Sequence, residues 1–153
     1  MQKKSAAVIE ACFRLYTNVL SPESEAEILK EIGLKLKTMK WNSTHLDNKI
    51  RNYREFCISD GNRFPKLWES LRQILPLISS TARLETDLLP PHILELRHDG
   101  IIMNHIDHPE YSGNFIAVLS LQRDSLLSVF DPSCASPVFE TEIPARSLYL
   151  QWY

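Results

Sequence analysis

The chain has 153 residues, 44% of them hydrophobic and 24% charged, and a formal net charge of −2. That is one domain's worth of ordinary globular composition, and the acidic balance argues against a dominant nucleic-acid-binding surface, which shows as a basic patch or a basic overall charge. No apolar run approaches the roughly 18 residues of a membrane span. Cys12, Cys57 and Cys134, far apart and without a Cys-x-x-Cys pair, read as free thiols in a reducing compartment.

Residues 1–20 set Lys3, Lys4 and Arg14 against Glu10 alone, with Val8, Ile9, Cys12, Phe13, Leu15 and Tyr16 between them. A basic, acid-poor, amphipathic start has the character of a mitochondrial transit segment, and equally of the first piece of a fold. The first clear helix starts at Ser21, which can cap free amides. Pro22 takes the first helical position, and Glu23, Glu25 and Glu27 lie near the positive end of the dipole. Leu29, Ile32 and Leu36 recur on one face and Lys35, Lys37 and Lys40 close the other end, so this is a packing helix with a solvated charged face. Residues 41–63 are polar, carry Trp41, Tyr53 and Phe56, and have no clean period. They predict an irregular or edge-strand segment ending in the Asp60-Gly61 turn. A second helix is predicted over 65–75, with Leu67, Leu71, Ile74 and Leu75 on one face and Pro76 as its stop.

Pro90-Pro91 marks a change of architecture. Beyond it, strands are predicted at 93–97, 101–104, 115–121, 126–130, 138–143 and 147–152, punctuated by Asp99-Gly100, Gly113, Asp131-Pro132, Ser136-Pro137 and Pro144. Short strands with turns between them argue an antiparallel sheet or sandwich. The fold class is therefore α+β, helices first and sheet second, with no internal repeat.

The chemistry gathers in residues 96–113, LRHDGIIMNHIDHPEYSG. In an extended strand residues i and i+2 point to the same side, so the His105 imidazole and the Asp107 carboxylate can reach one ion together. One nitrogen and one hard oxygen at this spacing are two corners of the two-histidine, one-carboxylate arrangement that holds non-haem Fe(II). A His-x-Asp by itself is more often a solvated turn. Here the apolar strand Ile101, Ile102, Met103 feeds the pair into a loop, which is how a rigid scaffold holds a metal site.

Leu96, Gly100, Ile102, His105 and Asp107, followed by Ser112-Gly113 and the run FIAVLSL, resemble the iron-binding strand of the AlkB-like Fe(II)/2-oxoglutarate-dependent dioxygenases. Three further blocks, LSPESEAEIL, HLDNKIRNYRE and EIPARSLYL, are similar to the mitochondrial homologue 7 branch of that family. The resemblance implies N-terminal helices packed on a double-stranded β-helix, or jelly roll. It implies Fe(II) on His105 and Asp107, with 2-oxoglutarate as cosubstrate in contact with Tyr149. Without the resemblance, Tyr149 reads as a half-buried strand tyrosine. The branch implies a mitochondrial matrix location, a protein or small-molecule substrate rather than nucleic acid, and a setting in programmed necrosis and lipid metabolism.

The chain also departs from the family pattern. A second histidine and then arginines follow the SLYL strand in the family, whereas no histidine follows His108 here and Arg146 is the last arginine. His108, at i+3 from His105 on one loop, is poorly placed for the opposite corner. Arg123 and Arg146 read as exposed strand arginines rather than a carboxylate clamp. The expectation is a transit or N-terminal segment over 1–20 and an AlkB-like domain over 21–153 that is truncated at its C-terminal side and catalytically impaired. SLYLQWY would then be an apolar edge that promotes association. Two other readings compete: a non-catalytic interaction protein with a decayed site, and a metallo-β-lactamase-like zinc hydrolase, since MNHIDH is one substitution from His-x-His-x-Asp-His.

Overall fold

The computed structural model describes residues 12–82, 88–106, 112–113, 115–130 and 136–152. Among them the order is strand β1 (Phe13–Tyr16), helix α1 (Pro22–Leu36), β2 (Asn42–Thr44), β3 (Ile50–Cys57), a 3-10 turn (Gly61–Arg63), helix α2 (Pro65–Ala82), β4 (His92–Ile102), β5 (Phe115–Ser120), β6 (Ser125–Val129), β7 (Phe139–Ile143) and β8 (Ser147–Trp152). The strands pair antiparallel in three groups, ordered β1-β8-β5, β2-β3-β4 and β6-β7. The architecture is α+β, but the order is not helices first and sheet second: β1 precedes α1, and β2 and β3 lie between the two helices, because β1 pairs with the C-terminal β8 and β3 with β4. No helix among the described residues is long and apolar enough to cross a membrane.

The Ser21 hydroxyl caps α1 by accepting from the Ser24 amide at 3.1 Å, and Ile28, Ile32 and Leu36 face the core. Fully burying a side chain the size of Ile28 contributes about 1.5–3 kcal/mol. Glu31 of α1 reaches across to accept from the Lys66 and Leu67 amides at 3.1 and 3.0 Å, so one helix satisfies the free amides that open the other. Pro76 does not stop α2, which runs on to Ala82. The residues beyond the proline explain this: Ile78 is buried on the same face as Leu67 and Ile74, and that burial offsets the one backbone hydrogen bond that proline forfeits.

Residues 41–63 are more ordered than their composition suggests. β3 is the central strand of its sheet, with Tyr53 buried between β2 and β4. Arg54 donates to Glu95 on β4 and to the Leu36 carbonyl that ends α1, and its guanidinium lies 4.4 Å over the Trp41 ring. A single side chain thus joins a helix end, a loop and two strands.

The strands predicted at 93–97 and 101–104 are one element, β4, and Asp99-Gly100 is a bulge within it. Tyr53 pairs with Leu96 but Arg51 with Ile101, so Asn52 alone stands opposite residues 97–100. Asn52 adopts φ +52° and its side-chain amide donates to the Asp99 carbonyl at 3.3 Å. A Cβ on Gly100 would lie 2.6 Å from the Asn52 carbonyl oxygen, which explains the glycine.

The expected edge at residues 147–152 is instead a strand paired on both sides. β8 lies between β1 and β5, and the strand that covers it comes from the N-terminal stretch: Phe13, Arg14, Leu15 and Tyr16 pair with Gln151, Leu150, Tyr149 and Leu148. The Tyr16 hydroxyl meets Thr81 at the end of α2 at 2.8 Å. Alternation along β8 then divides the molecule. Leu148 and Leu150 are buried with the helices in one core, while Ser147, Tyr149 and Gln151 occupy the opposite face.

Candidate metal and cosubstrate site

β4 delivers His105. Its last ladder pair is Ile102 with Ile50, and the Met103 amide then donates to the Lys49 carbonyl at 2.7 Å, so the strand is tied down to within two residues of the histidine. His105 itself lies past the strand, exposed, with Nδ1 2.8 Å from the Met103 carbonyl. A carbonyl can only accept, so Nδ1 carries the proton and Nε2 is the nitrogen through which this ring can ligate. Hydrogen bonding of the distal nitrogen in this way is what commonly fixes a metal-binding histidine. Asp107 and His108 lie outside the described residues, and so does Cys134. Among the described residues no group of three or more His, Cys, Asp or Glu side chains is arranged to hold a metal ion. His105, with Nδ1 engaged by a carbonyl, has the chemistry of a single imidazole ligand.

Sequence reasoning passed over the turn that lies beside His105. The β2–β3 hairpin turns at 45–49, and Asp47 there accepts from the Lys49 amide and from His45 Nδ1, both at 2.9 Å. These bonds, the amide first, hold the Asp47 carboxyl below the usual range, and His105 adds a smaller attraction at longer reach. Glu55 on β3 continues the arrangement, with His92 Nε2 at 3.0 Å and His45 Nε2 at 3.9 Å. The signal was present in the block HLDNKIRNYRE, whose His, Asp and Glu fall on one hairpin, but spacing in the chain does not reveal that β4 ends against that hairpin.

Tyr149 is carried by a different sheet. It sits mid-strand in β8, paired with Leu15 and Val118, half-buried, with its ring stacked on Phe13 at 5.8 Å between centroids and 30° between planes. The Phe13 ring also meets Phe139 of β7 at 5.6 Å, so it joins this face of the β1-β8-β5 sheet to the β6-β7 pair. The half-buried strand position expected of Tyr149 is observed.

The arginines sort differently from the expectation. Arg146 is no exposed strand residue: it precedes β8 with φ +61° and its guanidinium donates to Glu25 of α1 at 3.0 Å. The other oxygen of Glu25 accepts from the Gln122 amide at 2.7 Å. Arg146 is committed to that pair. Arg123 is exposed in the turn between β5 and β6. Cys12 and Cys57 are free thiols.

No family model matches the chain. Two curated proteins do, both named alpha-ketoglutarate-dependent dioxygenase alkB homolog 7, mitochondrial. The mouse protein is 26% identical over 139 residues, 89% of this chain and 60% of its own length, and the bovine protein 27% identical over 149 residues, 96% and 62%. The chain thus spans about three fifths of the relatives it matches. Over most of its own length, it is similar to the mitochondrial alkB homolog 7 proteins, which are AlkB-like dioxygenases.

Proposed function

We propose that this chain carries the first metal- and cosubstrate-binding strands of an Fe(II)/2-oxoglutarate-dependent dioxygenase of the AlkB type. The observation that carries the reading is the likeness to two such dioxygenases across 89% and 96% of the chain. Three features support it: His105 tethered through Nδ1 at the end of a pinned strand, Tyr149 central in β8, and the Phe13–Phe139 contact between the β1-β8-β5 sheet and the β6-β7 pair. In this reading His105 and Asp107 hold Fe(II), and Tyr149 contacts 2-oxoglutarate. When bound, Fe(II) would supply a place for dioxygen, the oxidant, with 2-oxoglutarate oxidised to succinate and carbon dioxide alongside the substrate. The chain's own part is to fix the ligating nitrogen and to present the phenol with its ring stacked on Phe13.

The substrate is proposed to be a protein or small molecule rather than nucleic acid, in mitochondria, the compartment in both relatives' names. Cell death and lipid metabolism are the proposed setting. Within these 153 residues no histidine follows His108, and the last arginine is engaged by Glu25. Loss of even outer-shell partners costs about 10–100-fold in metal affinity or activity. The 153-residue polypeptide by itself is therefore expected to bind Fe(II) weakly and not to couple 2-oxoglutarate decarboxylation to substrate oxidation.

The test is Fe(II) binding followed by calorimetry under anaerobic conditions, and, separately, succinate release measured in air with Fe(II), ascorbate and 2-oxoglutarate. Weak Fe(II) binding that His105→Ala and Asp107→Ala both abolish is the expected result. Fe(II) binding unaffected by either substitution would overturn the assignment. Robust succinate release by this polypeptide would show a third ligand within it, with His108 the first to test.

A further inference from the structure

A transit-like reading of the first 20 residues and a site reading of Tyr149 meet in one contact. Antiparallel pairing sets Leu15 opposite Tyr149 and Phe13 opposite Gln151, so Phe13 stands diagonal to the tyrosine on the same face of the sheet. Diagonal neighbours across a ladder lie within reach of aromatic side chains, and the two rings stack at 5.8 Å. Phe13 has Phe139 on its other side at 5.6 Å. The Tyr149 ring is thus held by a residue whose own place is set by β7 and by the β1–β8 ladder. On the helix side of the same strand, Tyr16 bonds to Thr81 and packs on the core, which anchors β1 independently of Phe13.

We propose that Phe13 is a positioning residue for Tyr149, so that the chain from Phe13 onward belongs to the cosubstrate site and proteolytic trimming compatible with function stops before it. This rests on the reading of Tyr149 as a contact for 2-oxoglutarate. A tyrosine in an extended strand has a choice of χ1 wells, and a stacked ring on one side removes that choice. Replacing Phe13 by alanine removes the stack and leaves the strand hydrogen bonds. Any targeting function would then lie upstream of the strand, and Phe13–Tyr16 is a fixed piece of sheet.

The experiment uses the whole chain with ring-labelled tyrosine, Tyr149 being assigned by its disappearance in Tyr149→Phe. Four forms are compared: unsubstituted, Phe13→Ala, Phe13→Leu and a form lacking residues 1–11. The readouts are the Tyr149 ring resonances and a titration with 2-oxoglutarate in the presence of Zn(II) as an oxygen-inert ion. Removal of residues 1–11 should leave both unchanged. Phe13→Ala should move the Tyr149 ring resonances and weaken 2-oxoglutarate binding about tenfold, the lower end of what loss of an orienting partner costs. Phe13→Leu, which keeps apolar bulk and guards against misfolding, should also move the Tyr149 resonances by removing the ring above them. Unchanged Tyr149 resonances in both folded variants would overturn the positioning role, and so would unchanged 2-oxoglutarate binding in a chain that binds it through Tyr149. If the unsubstituted chain binds 2-oxoglutarate measurably but no better than Tyr149→Phe does, the reading of Tyr149 fails and takes this proposal with it.

Discussion

Glu25→Ala removes the carboxylate that ties α1 to both loops beside β8. Glu25 is 8% exposed, and it accepts from Arg146 at 3.0 Å and from the Gln122 amide at 2.7 Å. Both partners sit in the left-handed region, Gln122 at φ +75° and Arg146 at +61°, a conformation that costs a non-glycine residue free energy unless its surroundings hold it. Breaking a buried pair by removing one partner costs about 3–5 kcal/mol. Arg146 keeps 29% of its side-chain exposure, so water recovers part of its solvation, and about 2–3 kcal/mol is the expected net loss. At about 2–4 °C per kcal/mol for a domain of this size, the thermal midpoint falls by about 5–10 °C. Denaturant unfolding monitored by circular dichroism measures the loss, and a cycle with Arg146→Met separates the pair from the amide contact. A Glu25→Ala midpoint within 1 °C of the unsubstituted chain, or a coupling indistinguishable from zero, would refute the assignment of Arg146 to a structural pair.

Gly100→Ala forces a Cβ to within 2.6 Å of one backbone oxygen and 2.9 Å of the Arg97 amide nitrogen; the bulge must shift, and a loss of about 2 kcal/mol or more by chemical denaturation is expected. Arg54→Ala strips a charged partner from Glu95, a donor from the Leu36 carbonyl and the cation from the face of Trp41, for about 2–4 kcal/mol, with a change in tryptophan emission as the local readout. Asp99 is held down at about 2, chiefly by its hydrogen bonds from Arg97; because its folded value lies below the ordinary carboxylate range, its contribution is present at neutral pH and is lost as pH falls from about 4 toward 2, and the carboxyl NMR shift of Asp99 should titrate with a midpoint near 2. A methylated oligonucleotide should show no salt-sensitive complex at submicromolar chain, and one that weakens steeply with added salt would contradict the protein or small-molecule assignment.

Much of the helical half was legible because its signals are local. The Ser21 cap, Pro22 at the first position and the spacing of Ile32 and Leu36 act within a few residues of one another, and α1 runs where they say. The errors lie where a distant partner decides. Pro76 is a local stop signal overruled by the burial of Ile78. Asp99-Gly100 carries a turn signature, yet the neighbouring strand β3 continues past it, so the chain bulges instead of reversing. Residues 50–57 have no clean apolar period because Arg54 and Glu95 make a paired charge contact between strands where an alternating apolar pattern was sought.

Of the candidate site, the sequence marks residue types and not their neighbours. His105 could be singled out from a three-residue motif, but the carbonyl that fixes its ring belongs to Met103, and no pattern in the sequence says which backbone oxygen a loop will turn toward. The hairpin turn at 45–49 meets the end of β4, where the Met103 amide donates to the Lys49 carbonyl, because the register of β3 brings them together, a long-range fact. The same reasoning applies with greater force to β8. Read alone, SLYLQWY is a strand with one known neighbour, and an unpaired apolar strand invites association. Phe13–Tyr16 is too short and too irregular to announce itself as a strand, and its composition suits a leader peptide as well as a sheet. It is a strand because β8 offers it a ladder and because Tyr16 finds Thr81. β1 therefore takes its structure from the most distant part of the chain, which is why the strand carrying Tyr149 and the aromatic ring that stacks on it can be understood only together.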